Sequence, residues 1–391
     1  MKRTRPGGAL NIGPVRLRVR LVVTELNEPV IGQHRYARQV DLESVRKAFE
    51  NPPEFSTSPL YRTLSRTVAA SDQLLGLAAR GRPGQYPTFL FFGAVHLLLL
   101  SGADHPLARY FPSVAGAQVL PADEAGPALA SFGAEFAPEL AEIISTRLVQ
   151  TSHVQRALAL RLGMSMIAPA VTGPVHLIEV GPGAGFLLRF DRYGYRIAGR
   201  QYGDPASPVQ LTADVYGTAP LPDLDVLPRL ASVQGIDLHP VDVQDPAERA
   251  WLEALVWPEN QAQRALLASA LEGVAADPPR IRAGDAIDVL PQVGQELPAG
   301  SARVVFHAAT RLHVPRDRRG AFDAAIRSLS DTGPLWWLSV EDPPRPDPRP
   351  QPARHGVSLL LRTPDGRAEN LAVADGHVRW IEMLRGPLTA S

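Results

Sequence analysis

Residues 177–185 read Leu-Ile-Glu-Val-Gly-Pro-Gly-Ala-Gly, an apolar run that ends in an acid and three alternating glycines. The apolar run has the composition of a strand covered on both faces, as strands of a parallel sheet are. Gly181, Gly183 and Gly185 permit a tight turn and leave no Cβ between the backbone and an approaching ligand. A strand-to-helix turn of this kind aims backbone N–H groups and the positive end of a helix at a nucleotide-like ligand. The segment therefore marks a cofactor site without naming a reaction.

Three further segments carry groups that could act with it. Gly235-Ile236-Asp237 ends one strand-like run, Gly284-Asp285-Ala286 follows a second, and Val304-Val305-Phe306-His307 forms a third. Asp237 offers two acceptor oxygens, although an acid at a strand end or ahead of a helix is also what a capping residue looks like. His307, at the carboxyl end of a predicted strand, is the candidate base for an acceptor's proton. Its alternative reading is a satisfied histidine closing a buried strand.

A dinucleotide fingerprint requires Gly-x-Gly-x-x-Gly. Counting from Gly181 places Phe186 where the third glycine belongs, and counting from Gly183 places Leu188 there. An NAD-type oxidoreductase is thus the weakest of the readings considered. The pattern present is Glu-x-Gly-x-Gly-x-Gly, and it resembles the first motif of class I S-adenosylmethionine-dependent methyltransferases. The resemblance implies that Glu179 helps to hold the methionine end of S-adenosylmethionine beside Gly181, Gly183 and Gly185. It also implies that Asp237 accepts from the ribose hydroxyls and that Asp285 reads the adenine amino group. About 50 residues separate Gly185 from Asp237, against roughly 20 in a simple nucleotide-binding unit, so an insertion must be absorbed between them. The Asp/Asn-Pro-Pro-Tyr tetrad of amino-methyltransferases is missing. Asp342-Pro343-Pro344 is a partial echo, but it follows the fifth predicted strand and not the fourth.

Over most of its length from about residue 33, the chain resembles a narrower group. Gln150-Thr151-Ser152, residues 188–193, 235–242, 251–259 and 284–291 look like domain of unknown function family 2332. That is an uncharacterised bacterial family with a methyltransferase-like core. Many of its members carry a smaller residue where this chain has Pro182, which stiffens the loop. Asp191, Arg192 and Tyr193 are candidates for substrate binding, because a guanidinium fork suits a carboxylate. The competing reading is a salt bridge within the protein.

The elements that must position these residues change character along the chain. Residues 15–21 alternate apolar side chains with Arg16, Arg18 and Arg20, the pattern of an edge strand or arm, and 1–30 is set apart on that basis. Residues 35–49, 60–79, 88–100, 138–150 and 153–167 have helical periodicity, so 31–170 is predicted to be an α-helical domain. Beyond it, strand-like runs at 175–180, 233–238, 280–282, 304–308 and 335–340 alternate with helical stretches at 251–257, 261–274 and 316–330. That alternation predicts a doubly wound, Rossmann-like, mostly parallel α/β sheet over 171–391. Residues 357–362 and 377–383 are expected to form a C-terminal antiparallel hairpin. Residues 194–228, rich in Gly, Pro, Tyr and Asp, read as the insertion, with a hairpin in it and a place near the ligand crevice.

Composition narrows the classes of function. The chain has 391 residues, 40 basic and 40 acidic, so no global field draws it to nucleic acid or anionic lipid. It has no cysteine, which removes disulfides, thiolate catalysis and Cys-zinc sites together. No histidine pair with an accompanying acid suggests a metal. Residues 1–5 are basic, but Pro6-Gly7-Gly8 stands where the apolar core of a secretory signal would begin. The apolar stretch 89–100 is too short to span a bilayer, which needs roughly 20 residues. The expectation is a cytoplasmic protein that binds S-adenosylmethionine and methylates a small molecule held between its helical and Rossmann domains. The alternative from another class is a binding or scaffold protein that kept the fold without the chemistry.

Overall fold

The computed structural model describes residues 41–341 and 356–388. The predicted strand at 15–21 and Asp342-Pro343-Pro344 lie outside the described residues. The chain divides into two units, 1–147 and 148–391.

Helices of the first unit begin where the local chemistry supplies a cap. Asp41 accepts from Glu43 N–H at the start of α1 (Leu42–Glu50). Ser58 caps α2 (Pro59–Ala69) by accepting from Tyr61 N–H, with Pro59 at the first helical position, where a missing N–H leaves no bond unmade. Ser71 caps α3 (Asp72–Ala78) in the same way. The next helix, α4 (Pro87–Leu100), is apolar around its whole circumference and therefore buried. Tyr61 stacks on its Phe92 with ring centroids 4.6 Å apart, and Phe49 and Phe55 meet the same ring edge-on. Its His96 is a core histidine bonded to Ser113 Oγ at 2.7 Å. No helix among the described residues is long and apolar enough to cross a membrane. The unit is completed by the single turn α5 (Pro112–Ala115), by α6 (Gly126–Glu135) and by α7 (Ala137–Thr146).

The last helix predicted for the helical domain, α8 (Ala157–Ile167), falls in the second unit instead, and every residue of it is buried. The parallel sheet follows as β1 (Val175–Val180), with an inserted trio β2 (Gly194–Ile197), β3 (Arg200–Gly203) and β4 (Gln210–Tyr216), then β5 (Leu230–Asp237). Helices α9 (Pro246–Ala254) and α10 (Gln261–Ala276) lead to β6 (Ile281–Ala283), and α11 (Ala286–Glu296) leads to β7 (Ala302–Ala308). Then α12 (Arg319–Arg327) leads to β8 (Leu335–Glu341), and β9 (Val357–Arg362), β10 (Ala368–Ala374) and β11 (Trp380–Met383) close the chain.

These strands form one sheet in the order β3-β2-β4-β11-β10-β9-β8-β7-β1-β5-β6. Strands β6, β5, β1, β7 and β8 are mutually parallel. Their side chains alternate between two cores. Leu177, Val304, Phe306, Trp336 and Leu338 pack with α8 and α10, whereas Ile178, Val180, Val305 and Trp337 pack with α11 and α12. This two-sided burial explains the continuous apolar runs that mark the strands in sequence. Successive strands run outward from β1 to β6, then resume on the other side of β1 with β7 and β8. The strand order thus reverses at β1, and ligands of open α/β sheets bind outside the carboxyl ends at such a point.

Three expectations are corrected. The C-terminal hairpin is present but belongs to a three-stranded antiparallel meander, since β10 lies between β9 and β11. The inserted strands β2 and β3 do form a hairpin, yet β4 joins the sheet through β11, with five strands between it and β1. Their pairing places the inserted strands at the edge of the sheet opposite β6. Finally, the glycine turn leads into a short 3-10 stretch, Leu187–Arg192, with Arg189 at φ −107° and ψ 16°, and not into an α-helix. The turn therefore does not present the positive end of an α-helix to a ligand.

Candidate functional site

All three glycines after β1 have positive φ: 79° at Gly181, 56° at Gly183 and 80° at Gly185. A Cβ at Gly181 would sit 2.5 Å from Thr310 Oγ1, and one at Gly185 would sit 2.3 Å from Pro279 Cγ. Nothing stands within 4 Å of the Cβ position at Gly183. Two glycines thus let the loop pack, and the middle one faces open space where a ligand could approach. Pro182 lies over Gly235, where a Cβ would come within 2.6 Å of its ring.

Beneath the loop is Glu179, 1% exposed, whose Oε2 is buried without a hydrogen-bond partner. Burial, and then the Asp237 carboxylate, push its pKa well above the ordinary glutamate value. A buried, unsatisfied carboxyl oxygen is destabilising by about 1–3 kcal/mol unless something pairs with it. It is the feature of the site that most calls for a ligand.

Asp237 ends β5 beside the loop. Its Oδ2 accepts from Gly183 N–H at 2.8 Å, and its Oδ1 from His239 N–H at 2.9 Å. Each oxygen keeps a second lone pair, and the residue is half-buried. Asp285 lies on the neighbouring strand end, since Gly284 N–H bonds Asp237 O at 2.8 Å. Its Oδ1 caps α11 by accepting from Ile287 N–H, and its Oδ2 pairs with Arg318 Nη1 at 2.9 Å. The capping reading of this acid is therefore what its contacts describe, and each oxygen keeps one lone pair for a further donor beside Arg318.

The structure thus brings Glu179, Gly181, Gly183, Gly185, Asp237 and Asp285 together at the adjacent carboxyl ends of β1, β5 and β6. It does not support His307 as a base. Trp337 Nε1–H donates to His307 Nε2 at 2.9 Å, and His307 Nδ1 bonds Glu341 Oε1 at 2.7 Å. With Nε2 accepting, the ring proton sits on Nδ1. The side chain is 1% exposed, so no lone pair remains for an acceptor's proton. His307 instead orients Glu341. That carboxylate oxygen also accepts from the N–H groups of Thr310 and Arg311 at 3.2 and 3.1 Å.

Thr310 is a contact that the sequence reading missed. Its Oγ1 donates to Val180 O at 3.0 Å and its side chain fills the space over Gly181, so the loop after β7 props the glycine loop. The substrate candidates are likewise committed. Tyr193 is buried, its hydroxyl donates to Phe186 O at 2.7 Å, and burial raises its pKa. Arg192 pairs with Asp277 at 2.6 Å, joined there by Arg189 at 3.2 Å, while Asp191 is exposed. The trio braces the chain leaving the loop and presents no free fork to a substrate.

The strand order, the two helical layers and the glycine turn at the reversal define a doubly wound, Rossmann-like α/β protein with an N-terminal helical unit. More narrowly, the chain belongs to domain of unknown function family 2332, described as an uncharacterized protein conserved in bacteria, which it matches over residues 47–383. No curated protein matches it. A solved structure titled "DhpI-SAM-HEP complex" is similar at 16% identity over 55% of this chain and 67% of that one, with a TM-score of 0.20.

Proposed function

We propose that the protein binds S-adenosylmethionine at the carboxyl ends of β1, β5 and β6 and transfers its methyl group to a small molecule. The observation that carries this reading is the orphaned, buried Glu179 oxygen beneath a glycine loop whose middle residue faces open space. S-adenosylmethionine brings a sulfonium and an ammonium group, and a buried carboxyl ionises when such a cation arrives. Asp237 keeps acceptor capacity for ribose hydroxyls while holding Gly183 in place. Methyl transfer needs the acceptor atom in line with the sulfonium carbon. Because His307 is committed, the reading favours an acceptor already nucleophilic at neutral pH, such as a thioether sulfur or an unprotonated heteroaromatic nitrogen.

Isothermal calorimetry with S-adenosylmethionine and S-adenosylhomocysteine tests it. Binding is expected in the wild type and is expected to disappear in Asp237→Ala. Absence of binding at millimolar cofactor would sink the reading. A second reading is favoured by the engagement of His307: a cofactor-binding protein without turnover. Binding with no methylated product from any metabolite pool selects it.

A further inference from the structure

At the same end of the sheet lies a group of nitrogen donors that the cofactor reading does not use. Strand β10 runs parallel to β8, so the turn between β10 and β11 falls at the end marked by Glu341 and the glycine loop. In that turn His377 packs against His153, with ring centroids 4.2 Å apart. Gln263 Nε2 donates to His153 Nδ1 at 3.2 Å, with its own Oε1 taken by Asn260. The His153 proton therefore sits on Nε2, which is left as a donor. Between the two turns, Arg156 gives its Nε–H to Gly376 O at 2.9 Å. Among the described residues, its two terminal amino groups meet no carboxylate.

The nearby acids are occupied elsewhere. Glu341 Oε1 serves His307, Thr310 and Arg311. Asp375 accepts from Arg379 N–H at 2.5 Å and from Arg379 Nε at 2.7 Å. Both carboxylates act on Arg156 only through space, opposing the burial that lowers its pKa. Burial, then Arg156's charge, also depresses both histidines, which are thus neutral donors at neutral pH. A half-buried guanidinium with a free fork and flanking N–H donors is built for an oxyanion, because leaving such a charge unpaired is destabilising.

We propose that Arg156, His153 and His377 form a seat for an oxyanionic group, a carboxylate or a phosphate, carried by the methyl acceptor. The word acceptor rests on the function proposed above; the anion seat stands on its own geometry. Through Glu341 and Thr310 the seat adjoins the loop over which a methyl group would be presented.

The test is titration of the full chain with inorganic phosphate and, separately, with acetate, followed by calorimetry and by the thermal midpoint. At least one anion is expected to bind the wild type and raise its midpoint, and the tighter of the two identifies the chemistry. Arg156→Gln is expected to weaken that binding at least tenfold. Arg156→Lys, which keeps the charge but loses the fork, guards against a folding defect and is expected to weaken it severalfold with an unchanged circular dichroism spectrum. No shift by either anion in the wild type, or equal shifts in wild type and Arg156→Gln, overturns the seat. If phosphate or acetate binds through Arg156 while S-adenosylmethionine does not bind at all, the seat stands and the methyl-transfer reading falls.

Discussion

Gly183 N–H donates to Asp237 Oδ2 at 2.8 Å, so the acid that ends β5 holds the loop that follows β1. The same carboxylate fixes its own strand exit through His239 N–H at 2.9 Å. One side chain thus ties together two adjacent strand ends at the point where the strand order reverses.

Removing it should act on structure and on binding alike. Asp237→Ala is expected to lower stability by about 1.5–3 kcal/mol, the range for hydrogen bonds to a charged group. Asp237→Asn keeps one carbonyl oxygen as acceptor and should lose about half as much. Denaturant unfolding of the three proteins checks the order, and calorimetry should show S-adenosylmethionine affinity falling in the same order. An Asn variant as impaired as the Ala variant would mean that charge, and not loop tethering, is what matters.

Glu179 makes a prediction in pH. Its raised pKa in the fold means that the unfolded chain gives up this proton first as pH rises. Its contribution to stability is therefore fully present below the ordinary glutamate value, about 4.3, and is lost between there and the raised value. Glu179→Gln, neutral at every pH, should lack that loss and be more stable than the wild type at neutral pH, with the two converging in acid. Unfolding free energies measured from pH 4 to pH 8 decide it. If the wild type binds S-adenosylmethionine with Glu179 ionised, the apparent binding enthalpy should also vary with the ionisation enthalpy of the buffer. Glu179→Gln should abolish that variation.

Much of this was legible in the sequence, and the parts that were not share a cause. The strands β1, β7 and β8 announce themselves because burial on both faces favours largely apolar runs. Strand β10, Ala-Glu-Asn-Leu-Ala-Val-Ala, was hidden because it is held by partners on both sides and not by its own propensity. The position of Asp237 could be read from its strand end. The commitment of His307 could not, since it depends on the neighbouring strand β8 and places Trp337 and Glu341 around the ring. Arg318 reaches Asp285 from the far side of β7, and no local pattern records that pairing.

The glycines should not be equivalent. Alanine at either Gly181 or Gly183 meets the strain of positive φ, about 1–2 kcal/mol. At Gly181 it also collides with Thr310, whereas at Gly183 it enters open space. Gly181→Ala should therefore be the more destabilising, and Thr310→Ala in the same chain should recover part of the difference. Gly183→Ala should leave stability closer to the wild type yet weaken cofactor binding more than its folding cost accounts for. A double-mutant cycle on thermal midpoints, with calorimetry on each variant, separates the two effects.

The last prediction concerns His307, whose Nε2 accepts from the Trp337 indole at 2.9 Å. Trp337→Phe leaves that buried nitrogen without its donor, and His307→Phe leaves the indole N–H without its acceptor and takes one of three donors from Glu341 Oε1. Each is expected to be destabilising by about 1–3 kcal/mol, and the double variant by less than the sum, because the first change already removes the shared bond. Nitrogen NMR of the ring should show the proton on Nδ1, unchanged when cofactor is added. A general base would behave otherwise: its removal lowers the rate about 10²–10⁴-fold and deletes one limb of the pH–rate profile. For a positioning residue, the profile keeps its shape, and the loss follows the disordering of Glu341 and Thr310. Thr310→Ala, which leaves His307 untouched, should then reproduce much of the same loss in cofactor affinity.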